Sequence, residues 1–142
     1  EMKFGAVDKS TNDLKTKYTI KGVINMWGGL FSDMHITPED NIPTVMFHGE
    51  KDEIVPFNVS RFNNCYFPVA YPIVHGSKSL ARKFREYGFC YELNTDPVAN
   101  HGCFNDKYIC EKASCFLKSI MCGTCSSSEQ NTIKKPICAQ EY

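Results

Sequence analysis

Asn41-Ile-Pro-Thr-Val-Met-Phe-His-Gly-Glu-Lys-Asp-Glu-Ile-Val-Pro56 decides the fold. Pro43 to Phe47 is apolar without alternation, as a strand covered on both faces must be. His48-Gly49 closes the run in a turn, and Asp52 follows in the loop. Such a strand belongs in a parallel sheet between helices, so strands and helices should alternate around it. Upstream, Ile20 to Met26 is a short apolar run rich in β-branched residues, closed by Trp27-Gly28-Gly29; it reads as another buried strand. Downstream, Ser77 to Tyr87 reads as an amphipathic helix. Leu80 and Phe84 lie four apart, Lys78, Arg82, Lys83 and Arg85 fall mostly on other faces, and Gly88 is the stop. Phe89 to Leu93 is a third strand. Asp106 to Met121 is a second helix, with Ile109, Ala113, Phe116, Leu117 and Ile120 at helical spacing. Residues 1–18 and 57–75 read as irregular, and Thr37-Pro38 as a helix start. The order predicts an α/β layer. Three strands make a thin sheet, however, and a doubly buried strand needs neighbours on each side. Part of the sheet is therefore expected to lie outside these residues.

The chain has 142 residues, 42% of them hydrophobic and 13% aromatic, which suits one globular domain. Lys+Arg and Asp+Glu both number 16, and the zero formal charge gives no electrostatic grip on nucleic acid or an anionic membrane. No apolar run approaches the roughly 18–20 residues of a membrane span. No signal peptide is visible, and a chain that opens at Glu1 reads as a mature, processed or trimmed product.

Cysteines stand at Cys65, Cys90, Cys103, Cys110, Cys115, Cys122, Cys125 and Cys138. An even number, crowded toward one end, points to disulfides and an oxidising compartment. The sequon Asn58-Val59-Ser60 fits the same secretory route, so the expected location is secreted or lumenal. Cys122-Gly-Thr-Cys125 could be redox-active or half of a zinc site. It follows a helix rather than opening one, so no helix N-terminus lowers a thiol pKa there, and disulfides are the preferred reading. Cys103 is expected to staple the loop of the nearby histidine.

Chemistry concentrates at Asp52 and at Asn100-His101-Gly102. An acid on one post-strand loop and a histidine on a later one, in that order, form the back half of a hydrolase triad. The acid orients the imidazole and stabilises its cation. The intervening length accommodates one strand-helix-strand unit, which would bring both residues to the C-terminal edge of the sheet. Taken alone, Asp52 could simply cap a turn, and His101 could be an ordinary loop histidine. His48 reads as a hydrogen-bonding partner of its own turn. His35 and His75 carry no constellation.

Taken with the helix Ser77–Gly88, the stretches Ile24-Asn-Met-Trp-Gly-Gly-Leu30, Ile42 to Pro56 and Asn100-His101-Gly102 resemble the C-terminal part of a secreted α/β-hydrolase of the carboxylesterase and lipase kind. The carriers are the pattern His-Gly-x-x-Asp-x-x-Val-Pro and the later flanked histidine. The resemblance implies residues 1–122 as the C-terminal part of an α/β-hydrolase sheet with flanking helices, and 123–142 as a cysteine-containing tail. It implies Asp52 as triad acid, His101 as base, a small carboxylic ester as substrate, and no cofactor or metal. Trp27, Gly28 and Gly29 would line an acyl or alcohol pocket, unless Trp27 is a core residue beside a tight turn. No Gly-x-Ser-x-Gly occurs, and none of the serines lies on an elbow. The nucleophile would precede Glu1, in an upstream half of the same hydrolase on the same or a cleaved chain. Two other readings stay open: a catalytically inactive hydrolase-like binding or structural module, and a zinc-binding cysteine-rich domain.

Overall fold

The computed structural model describes residues 18–62 and 71–131. Among them are strands β1 (Val23–Met26), β2 (Thr44–Gly49), β3 (Val59–Arg61), β4 (Ile73–His75), β5 (Tyr91–Asp96) and β6 (Ser128–Gln130), with helices α1 (Ser77–Tyr87) and α2 (Asp106–Met121). Four strands form one sheet in the order β1-β2-β5-β6. All three of its pairings are parallel. The fold is thus α/β with a parallel sheet.

The two helices cover opposite faces of that sheet, and alternation along β2 assigns its side chains to them. Met46 joins Leu93, Leu80 and Phe84 on the α1 side. Val45 and Phe47 pack with Tyr108, Ile109 and Phe116 on the α2 side. Every residue of β2 is buried, which is why its sequence shows no polar alternation. Gly88 ends α1 in the left-handed region, and Asn105 caps α2 by accepting a hydrogen bond from the Tyr108 N–H.

Several elements differ from the sequence reading. The first strand is shorter, beginning at Val23, while the second and third extend through Gly49 and Asp96. The stretch read as irregular contains the antiparallel pair β3–β4. Thr37 caps no helix; its N–H and hydroxyl both donate to the Asp40 carboxylate, which closes a turn instead. The tail supplies β6, which pairs with β5 at Glu92↔Ser128 through Asn94↔Gln130. β1 is the unexpected strand. Val23, Ile24 and Met26 remain exposed, Met26 by 51%. Among the described residues no strand pairs its outer edge.

Cys90, just before β5, is joined to Cys125, just before β6, with Cα atoms 6.1 Å apart and a sequence separation of 35. Closing a loop of that length should contribute about 3–4 kcal/mol by the chain-entropy estimate. We expect Cys90→Ser to lower the urea midpoint accordingly. An unchanged midpoint would rule the staple out as a stabilising element.

Candidate active site

The C-terminal ends of β2 and β5 lie side by side, with His48 opposite Thr95 and Gly49 opposite Asp96. The loops that leave them are laced together. Glu50 N–H donates to Asp96 O (2.8 Å), and Lys51 N–H to Ala99 O (3.0 Å). Glu53 N–H donates to Asn100 Oδ1 (2.9 Å). This closeness needs a glycine. A Cβ on Gly49 would stand 2.4 Å from both Ala99 O and Asn100 O. Gly49→Ala should therefore cost about 2–3 kcal/mol of overpacking, or about 10 °C in Tm. Thermal denaturation showing a wild-type Tm would mean that the loops do not need this approach.

Asp52 hangs from the acid loop with its side chain fully buried. Oδ1 accepts from Ile54 N–H (2.8 Å) and Val55 N–H (2.9 Å), the local turn that aspartate favours. Oδ2 faces two rings: His101 Nδ1 at 2.8 Å and His48 Nε2 at 3.3 Å. The sequence-predicted pair is therefore brought together directly. His101 lies between Asn100, whose Oδ1 accepts its N–H at 2.7 Å, and Gly102, whose φ of +72° suits glycine. Its side chain is 33% exposed. With Nδ1–H given to Asp52, Nε2 keeps the lone pair, and among the described residues it has no hydrogen-bond partner. That is the geometry of a base oriented by an acid.

Trp27 stands beside this pair, its ring 5.7 Å from the His101 ring. It packs against the α2-side core and has a φ of +54°, an unusual backbone for a bulky residue. Its lining role separates from that of the glycines. Gly28 and Gly29 border an apolar groove of about 530 Å³ together with Ile24, Leu80 and Phe84, and Trp27 does not reach it.

His48 is entirely buried. Its expected bond to the turn is present, as Nε2 meets Val55 O at 3.0 Å. Nδ1 meets Ser77 Oγ at 2.8 Å. Burial pulls its pKa below the usual imidazole range and so favours the neutral ring. Both oxygens near Nε2 are acceptors, so the proton sits there and the Ser77 hydroxyl donates to Nδ1. The row Ser77–His48–Asp52 imitates a triad but cannot run one. Ser77 and His48 are sealed from solvent, and the serine holds the nitrogen that should face the acid. The sequence pointed to a bond between His48 and its own turn; nothing in it marked Ser77.

The cysteines divide. Cys103, Cys110 and Cys122 are free thiols, so the staple expected at Cys103 is absent. Cys103 instead packs beside Trp27 on the α2-side core, where burial pushes its thiol pKa up and away from nucleophilic use. Cys125 pairs with Cys90 rather than with Cys122, and Cys115 is also in a disulfide. Cys65 and Cys138 lie outside the described residues. Among the described residues no cluster of three His, Cys, Asp or Glu side chains could hold a metal. Asn58 of the sequon is exposed. No described helix is long and apolar enough to cross a membrane. Compared with models of protein families, with curated proteins and with solved structures, the chain matches none.

Proposed function

We propose that the chain supplies the acid and the base of a serine ester hydrolase, with Asp52 as acid and His101 as base. The observation that carries this reading is the 2.8 Å bond from His101 Nδ1 to a buried Asp52 at the C-terminal edge of a parallel sheet. The serine would come from the upstream half of the same hydrolase, on the same or a cleaved chain. The open edge of β1 supports that half, because its exposed apolar residues on a parallel sheet offer a place for further strands. In this mechanism His101 Nε2 takes the serine proton as the hydroxyl attacks an ester carbonyl. It then returns the proton to the departing alkoxide, while Asp52 holds the ring and stabilises its cation. Water repeats the cycle on the acyl-enzyme.

The test is hydrolysis of p-nitrophenyl esters by the full-length protein, combined with fluorophosphonate labelling. We expect turnover that the label blocks, with the labelled serine mapping outside residues 1–142. A protein that neither turns over nor labels would be the inactive module instead.

A further inference from the structure

A buried histidine whose two nitrogens are both engaged is held in one orientation. His48 is such a residue, and it sits immediately behind the acid. Its ring is fixed at two points. Ser77 Oγ holds Nδ1 (2.8 Å), Val55 O holds Nε2 (3.0 Å), and Asp52 Oδ2 lies 3.3 Å from Nε2. Ser77 in turn is anchored by its place in the first turn of α1, which is docked on the acid loop. Gly76 N–H donates to Asn58 O (2.7 Å), and Lys78 N–H donates to Phe57 O (3.0 Å). A Cβ on Gly76 would collide with Pro56 O. The helix start, the serine, the histidine and the acid loop therefore form one rigid unit.

We propose that His48 is a positioning residue for the acid: Ser77 locks it in the Nε2–H form, and this N–H edge, bonded to Val55 O, lies against the same Asp52 oxygen that holds His101. This role rests on the function proposed for Asp52 and His101; the geometry stands without it. Asp52 Oδ1 is already pinned by two backbone N–H groups, which leaves rotation of the carboxyl about that anchor as its remaining freedom. The His48 N–H edge, held 3.3 Å from Oδ2, limits this freedom. The lock on the tautomer is essential, because the other tautomer would turn a lone pair toward the carboxylate. A neutral donor also leaves the carboxylate charge for the His101 cation, where a protonated His48 would compete for it.

Three substitutions in the full-length protein test this. His48→Leu removes the donor at similar volume, and His48→Gln keeps an N–H near the Nε2 position. Ser77→Ala frees the tautomer while leaving the ring in place, and covers the case in which His48→Leu does not fold. With p-nitrophenyl acetate, His48→Leu should lower kcat about 10- to 100-fold at unchanged KM, the size of effect that slight misplacement produces. Gln should restore most of this loss, and Ser77→Ala should give a smaller fall in the same direction. In proton NMR the low-field resonance of His101 Nδ1–H should persist in the wild type and in His48→Gln, and broaden through faster exchange in His48→Leu and Ser77→Ala. A resonance and a kcat unchanged in His48→Leu would overturn the proposal. So would a Gln variant as slow as Leu, with losses in all variants that simply follow Tm. If the wild type hydrolyses no ester, the proposed function fails and the resonance alone decides on His48. Broadening in Leu but not Gln supports the positioning role, and equal sharpness in both ends it.

Discussion

Replacing His101 by alanine should lower kcat for ester hydrolysis by roughly 10⁶-fold, the loss seen when the base of a serine hydrolase is removed. Fluorophosphonate labelling should disappear with it, because an unassisted serine hydroxyl is a poor nucleophile. Folding should be nearly untouched. The ring is one-third exposed, and its only described polar bond is the one to Asp52. That separation makes the variant informative. A wild-type Tm with no labelling places His101 in the chemistry, whereas retention of even a tenth of the activity removes it.

Asp52→Asn is the second large effect, and it works differently. The amide keeps the shape and one oxygen, so the turn bonds from Ile54 and Val55 can survive. The other terminus becomes an NH₂ group facing the Nε2–H of His48 and the Nδ1–H of His101. Donors would then face donors. His101 can respond by moving its proton to Nε2, which satisfies the amide but leaves no base for the serine. The expected fall in kcat is about 10⁴-fold with KM little changed, as for the same change in a serine protease. Unlike His101→Ala, this variant should also lose about 1–3 kcal/mol of stability, because an amide N–H is buried against the His48 N–H edge with no acceptor. Activity measured beside thermal denaturation distinguishes the two substitutions. Equal Tm values for both would mean that His48 does not oppose the amide.

The sequence expressed these features unevenly, for physical reasons. Both helices were legible to the residue, at 77–87 and 106–121, because apolar spacing and a glycine or asparagine at an end fix them. β2 was legible as a doubly buried strand, but its length was not. His48 and Gly49 read as turn residues by type, whereas pairing with β5 carries the ladder through them. β5 hid its end in Asn94-Thr95-Asp96, residues that usually mark loops. Asn94 and Thr95 are buried here because Asn94 Nδ2 donates to Met46 O (3.4 Å) and the Thr95 hydroxyl to Glu50 Oε1 (3.0 Å). The strands of three residues, β3, β4 and β6, are too short to carry periodicity. At the candidate site, Asp52 and His101 could be placed by type and order. The locking of His48 by Ser77 could not, since it depends on where α1 docks. Cysteine pairing was equally silent, and Cys103 proved to be a packed thiol.

The exposed β1 edge bears on how this protein can be handled. Val23-Ile24-Asn25-Met26 contains no lysine, no proline and no bulge, the devices by which sheet edges normally repel one another. Its apolar side chains are exposed beside backbone donors and acceptors that no described strand pairs. These residues expressed alone therefore present a template for edge-to-edge growth, and colloidal stability rather than folding free energy would set the concentration at which they stay dispersed.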